Sequence, residues 1–303
     1  MFPRARLAGL LGLLGLGWPA HALAQACCGA SGLVLPARLR VYDDYGFGLQ
    51  ATARQTYGAL AADGTYSGTL TGDLVTEQDL FAMARLSARV QLALLVPYVE
   101  TYRRIPGQSE WGGFFGDVTV NGRFEVVHAG EQGAWPALTL LAGLTAPTGR
   151  APDQARNALG TDAAGTGSFQ GNVGFEVEGL FRHWFVMFDG WVSQRTSRAS
   201  PGGRSSFAPR LTGLLAGGYV FDSRLAAGGF ATAVDEGRGQ DTAPGAGPVA
   251  GPRYATAGLA SAIPVDPSWR LQATGSADLP LGGWGRNQPT TFAFSTSLVR
   301  VWP

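Results

Sequence analysis

Apolar and polar side chains alternate with period two along this chain, in segments of about ten residues separated by turn-forming sequence. In Asp117–Val127, Val118, Val120, Phe124 and Val126 make one face; Asp117, Thr119, Asn121, Arg123 and Glu125 make the other. Asn172–Arg182 repeats the pattern, with Val173, Phe175, Val177 and Phe181 opposite Asn172, Glu176, Glu178 and Arg182. Tyr45–Tyr57 sets Phe47, Leu49, Ala51 and Ala53 against Gln50, Thr52, Arg54 and Thr56. In Trp269–Leu279, Leu271 and Leu279 oppose Arg270, Gln272, Thr274, Ser276 and Asp278. A helix would space its apolar residues every three to four positions, so these segments are strands with one oily and one wet face.

Eight weaker segments fit the same frame: Asp79–Ser87, Val90–Tyr102, Trp135–Ala146, Trp184–Gln194, Arg210–Phe221, Arg224–Val234, Arg253–Ile263 and Thr291–Trp302. The expected fold is therefore all-β, a transmembrane antiparallel up-and-down β-barrel of 12 strands over residues 45–303. Connections alternate between tight turns (Arg182-His183, Asp222-Ser223, Pro264–Ser268) and long loops (Gly58–Gln78, Pro147–Ser168, Thr196–Ala208, Glu236–Pro252). Short periplasmic turns and longer external loops are expected of this class. Tyr45, Trp135, Trp184 and Trp269 open strands while Phe181, Phe221 and Trp302 close others, which gathers all seven at the short-turn rim. Rings with a polar handle favour the boundary between hydrocarbon and water. The opposite rim collects Tyr57, Tyr98, Tyr102, Trp111, Phe114, Phe115, Trp284 and Phe292. Pro97 lacks a ladder donor and predicts a bulge or early strand end.

The N-terminus orders charge (Arg4, Arg6), an apolar run (Leu7–Gly17) and small residues, as an export signal does. A signal peptide over residues 1–24 is expected, with cleavage before Gln25 or before Cys27. Residues 25–44 would follow as a periplasmic segment able to enter the barrel as a plug. The apolar run is too short to span a bilayer as a helix, and no later stretch reaches about 18 continuous apolar residues. These features place the chain in the outer membrane of a Gram-negative bacterium, with membrane lipid and the barrel-assembly machinery as partners. Only 15% of residues are charged, which suits a wall facing hydrocarbon, and a net charge of +1 leaves no basic footprint for nucleic acid.

Polar residues on the inner face are the candidate site: Arg54, Arg85, Asp117, Arg123, Glu125, Glu176, Glu178, Asp189, Arg210, Arg270 and Asp278. Charges there must be hydrated or paired. They form either a bracing network of arginine–carboxylate pairs or a constriction that selects permeants by charge and size. Glu176 and Glu178 point the same way, about 7 Å apart. That spacing could serve acid–base chemistry, but neighbouring arginines neutralise the pair more simply. Cys27-Cys28 could form a vicinal disulfide, bind a soft metal or, at Cys27, carry lipid. Gly46-Phe47-Gly48 and Gly165-Thr166-Gly167 lack the third glycine and following helix of a nucleotide fingerprint, so no cofactor is expected.

Gly116-Asp117-Val118-Thr119-Val120, which enters a strand, and Ala146-Pro147-Thr148-Gly149, which leaves one, are followed by Leu159-Gly160-Thr161 and Gly165-Thr166-Gly167. This series resembles the outer-membrane transporter family named for the meta-pathway of phenol degradation, over residues 78–190. The resemblance implies a channel for small compounds, aromatic ones included, and carries over no ligand-binding residue.

The expected function is a passive outer-membrane channel for small, hydrophobic or aromatic molecules. The alternative is an occluded structural or binding barrel; a third reading is a lipid hydrolase. His128 and His183 lie by predicted short turns with no serine in a nucleophile arrangement, so a non-enzyme is expected.

Overall fold

The computed structural model describes residues 39, 43–61, 63–68, 72–128, 136–200, 203–242, 248–249, 251–279, 281, 284–285 and 288–303. The 12 long strands are β1 (Tyr45–Leu60), β2 (Gly72–Ser87), β3 (Val90–Ile105), β4 (Val118–Val127), β5 (Ala137–Ala146) and β6 (Gln170–Phe181), then β7 (Trp184–Arg195), β8 (Arg210–Val220), β9 (Ala226–Glu236), β10 (Arg253–Pro264), β11 (Trp269–Leu279) and β12 (Gln288–Trp302). Each pairs antiparallel with its chain neighbours, and β12 returns to β1 from Tyr45↔Trp302 to Leu60↔Gln288. Closure removes the long unpaired edges that an open sheet would leave in hydrocarbon.

The alternation read from the sequence is the alternation of the wall. On β4, Val120, Phe124 and Val126 are exposed, whereas Asn121, Arg123 and Glu125 are buried on the inner face. Phe47, Leu49, Val173, Phe175, Phe188, Leu215, Leu259, Phe294 and Leu298 continue the exposed apolar surface around the barrel. A soluble monomer seldom exposes contiguous apolar patches beyond a few hundred Å²; a belt circling the molecule is a membrane-facing surface.

At the short-turn rim, Tyr45, Phe181, Trp184, Phe221, Trp269 and Trp302 all sit at strand ends on one side of the barrel. Trp184 and Phe221 both pack edge-on against Tyr219, and the Arg300 guanidinium lies 4.9 Å from the Trp302 ring centre. Trp135, read as the seventh member, lies outside the described residues.

Three local expectations are corrected. β2 begins at Gly72 rather than Asp79, because Gly72–Gln78, read as loop, pairs with β3 from Arg104 to Tyr98. Pro97 neither ends nor bulges β3: it pairs in register with Asp79 on β2. On its other side the β3–β4 ladder stops at Leu95↔Thr119, and a short return strand, Gln108–Phe115, takes over from Tyr98. The proline thus sits between two partners, where its missing N–H breaks no ladder bond on that edge. Arg182, read as inward, occupies the β6–β7 turn with φ 56° and is exposed.

Candidate functional site

The barrel interior is the site. Every second residue of each strand points into it, and register fixes which ones meet. A polar sector runs over β3–β7. Arg123 of β4 donates from Nη2 to Glu176 Oε1 of β6 at 2.5 Å, reaching past Thr139 and Leu141 of β5. Glu176 faces Asp189 across the β6–β7 ladder, and Glu178 lies two residues nearer the short-turn rim. Glu125 accepts from Gln91 Nε2 at 2.9 Å and contacts His128 Nδ1. All four carboxylates are buried, and Glu125 and Glu176 have the partners that a buried charge requires. Glu176 and Glu178 share a face as expected, and the Arg123 pairing matches the bracing network rather than an acid–base couple.

A second group lies near the floor and along β11–β1. Arg270 Nη2 donates to Asp43 Oδ2, and Arg85 Nε donates to the Asp43 carbonyl at 3.1 Å. Leu39 is 1% exposed and packs with Phe81, Met83, Val299 and Val301, all on inner faces. Above this floor Gln272 accepts from Ser297 Oγ, and Thr52 bonds Ser295 Oγ at 3.1 Å. Arg54 shares the inward register of Thr52 but is exposed to solvent. Asp278 accepts from the Thr291 N–H and hydroxyl, both at 2.8 Å.

Between these lies an apolar sector that the sequence reading missed. Phe185, Met187 and Trp191 of β7, Leu214 and Ala216 of β8, and Phe230 and Val234 of β9 face inward and are buried. Glycines let their rings lie along the wall. A Cβ at Gly174 would meet Trp191 Cδ2 at 2.9 Å, and one at Gly258 would meet Phe230 Cε1 at 2.8 Å. A ring folded over a neighbouring strand's glycine does not project across the lumen. Alternation alone marks these residues as apolar on a polar face, a conflict easily taken for weak strand signal.

The external mouth is braced by charge. Arg210 Nε donates to Glu236 Oε2 at 2.7 Å, and Arg195 pairs with the same carboxylate. Glu236 falls at the start of the expected loop Glu236–Pro252, and Arg195 lies one residue past the expected strand end. Arg103 bonds Asp73 at 3.1 Å. On the outer face Tyr98 meets Phe115 edge-on and Tyr102 lies tilted against Trp111, but Phe114, expected at the rim, faces inward under the Arg150 guanidinium at 4.1 Å.

Asp117 lies on the inward face, where the β5–β6 loop engages it. Its Oδ1 accepts from Gly149 N at 2.9 Å; its Oδ2 accepts from the N–H and hydroxyl of Thr166 at 2.7 and 2.8 Å. Thr148 Oγ1 donates to the Gly116 carbonyl and accepts from Val118 N. The glycine-rich motifs therefore meet in one knot at the external end. Asp162, in the β5–β6 loop, accepts from Arg156 N and Asn157 N and pairs with Arg150. Burial acts to raise this carboxyl, but those donors outweigh it and hold it below its ordinary value.

Among the described residues no group of His, Cys, Asp and Glu is arranged to hold a metal; Cys27 and Cys28 lie outside them. His183 Nδ1 lies 3.1 Å from the Val220 carbonyl, at the short-turn rim.

No family model and no curated protein matches this chain. Solved structures do. The COG4313 outer membrane channel from Pseudomonas putida F1 aligns with TM-score 0.69 at 15% identity, covering 88% of this chain and 97% of that one. The transport unit of the autotransporter AIDA-I from Escherichia coli aligns with TM-score 0.50 at 6% identity, covering 90% of this chain and 95% of that one. At such identities the likeness is one of fold: the chain has the architecture of a 12-stranded outer-membrane β-barrel.

Proposed function

We propose that this chain is a passive channel for small molecules, hydrophobic and aromatic ones among them, in the outer membrane of a Gram-negative bacterium. The observation that carries this is the inward apolar sector of β7–β9. A water-filled porin lines its lumen with polar groups, and Phe185, Met187, Trp191, Leu214 and Phe230 have no reason to face one. They are buried at rest, so an apolar solute passes along them by displacing their packing, beside the braced polar sector of β3–β7. The likeness to a solved outer-membrane channel supports the same reading. The resemblance of the glycine-rich motifs to the phenol meta-pathway transporters points to aromatic permeants.

The N-terminal segment completes the proposal. Residues 1–24 are removed as a signal peptide, and residues 25–44 act at the barrel floor; of that segment, Leu39 is buried among inward side chains and Asp43 is held by Arg270. That segment narrows the periplasmic end as a partial plug. A barrel so narrowed excludes large solutes, and complete closure would make it the occluded barrel instead. Passage needs no chemistry, so no catalytic residue is assigned.

Swelling of liposomes containing the purified mature protein tests the function, across sugars, aliphatic alcohols and water-soluble aromatic acids of matched size. Faster entry of the aromatic and aliphatic solutes is expected. Equal entry of all classes would indicate a general pore, and no swelling with any solute an occluded barrel.

A further inference from the structure

The 147–169 loop lies inside the barrel mouth, and register shows it. On β2 and β3 the inward face includes Asp79, Gln91 and Thr101, all buried. The pairs Arg103↔Glu110, Thr101↔Gly112 and Val99↔Phe114 put Glu110, Gly112 and Phe114 of the return strand on that face, with Trp111 and Phe115 outside. The loop bonds to the inward set. Glu110 accepts from Ala158 N at 3.1 Å and from Leu159 N at 2.8 Å, and Arg103 Nη1 donates to the Leu159 carbonyl at 2.7 Å. Arg150 covers Phe114, and a Cβ at Gly112 would lie 2.5 Å from Thr161 Oγ1.

The loop is also pinched at its base. Asp117 holds Gly149 near its start and Thr166 near its end, and Gly165 N donates to the Arg150 carbonyl at 2.8 Å. A Cβ at Gly165 would sit 2.5 Å from the Gly149 carbonyl carbon, so only glycines allow the two limbs to touch. Asp162 ties the interior of the loop together, and Ala151, Thr161 and Asp162 are buried.

We infer that the 147–169 loop, folded against the inner wall, forms the limiting outer constriction of the permeation path, with Asp117 as the latch that fixes its width. This rests on the channel reading above. It assigns a size-selecting element that lies apart from the polar network of the lumen wall, and it gives the Gly-Asp and Pro-Thr-Gly motifs a shared task. Asp117 is a positioning residue: it acts through the loop and touches no permeant.

Single-channel conductance in planar bilayers tests the inference, starting from the full mature chain carrying Cys27→Ser and Cys28→Ser. If that parent passes no current, the channel reading itself fails. If it conducts, Asp117→Asn places an amide nitrogen against N–H donors and frees the loop. Conductance should then rise by roughly two-fold or more with added flicker, as expected when a limiting constriction widens. Gly112→Cys with Thr161→Cys, oxidised, should return Asp117→Asn to parental conductance, and reduction should release it again. Glu110→Gln, which weakens the loop at its tip and leaves the base knot intact, should act in the same direction if Asp117→Asn does not fold. Folding is read from heat-modifiable migration. Parental conductance in a folded Asp117→Asn or Glu110→Gln protein, or an increase that the disulfide does not reverse, would overturn the inference.

Discussion

Replacing Arg123 by alanine would remove the cation paired with buried Glu176, a situation far worse than never having had the pair. Refolding into lipid vesicles from urea should show a loss of about 3–5 kcal/mol for Arg123→Ala. A loss below about 1 kcal/mol, the worth of an exposed pair, would mean that water reaches Glu176 freely. The glycines under inward rings are a second residue-scale device. Gly258→Val should press on both the Gly275 carbonyl and the Phe230 ring at a cost of about 1–3 kcal/mol, the range for overpacking, and should lower single-channel conductance. Unchanged stability and current would show that the ring has room to move without entering the path. Arg123, Arg270, Glu125, Glu176 and Glu178 were legible in the sequence because charge on an alternating strand has one place to go, whereas Glu236 and Arg195 fall past the ends of the readable pattern. Trp191, Phe185 and Phe230 were not, since an apolar residue on the polar face looks the same whether it lines a passage or weakens the pattern. Asp117 was placed on the right face, but its partners, Gly149 and Thr166, are dozens of residues away and no local rule joins them.

At the scale of elements, each strand is held by what its outer face touches. Leu215 lies midway along β8 and is 55% exposed, so Leu215→Arg should cost about 2–4 kcal/mol of folding free energy in bilayers, as for basic residues near the midplane. Near-neutral behaviour there would place that face against water or protein. Strand number and direction were readable because period two and turn chemistry repeat along the chain. Boundaries were less so. Gly72–Gln78 is rich in turn-like and charged residues, and only its pairing with β3 makes it strand. Pro97 breaks a local rule that the partner exchange at Leu95 and Tyr98 makes harmless. The external 147–169 loop adds a pH prediction. Asp162 titrates below its ordinary value of 3.8, so it contributes stability above that value and loses it as pH falls through the lowered one. Hydrogen exchange of Arg156 and Asn157, corrected for intrinsic rates, should keep its protection from neutrality down to the ordinary carboxyl value of 3.8, and lose it only below that value. Loss near neutrality would assign the loop's order to another group.

The whole molecule combines an apolar belt, an aromatic rim and a closed ladder with an interior divided into apolar and polar sectors. Belt and closure make it a membrane barrel, and the divided interior is what makes passage of small apolar solutes the favoured reading. The unitary current of the mature protein in a planar bilayer, followed while small solutes are added, tests that reading most directly. The account predicts a steady small conductance, blocked reversibly by a water-soluble aromatic acid and indifferent to a sugar of equal size. A silent bilayer at every voltage, or equal blocking by both solutes, would contradict it.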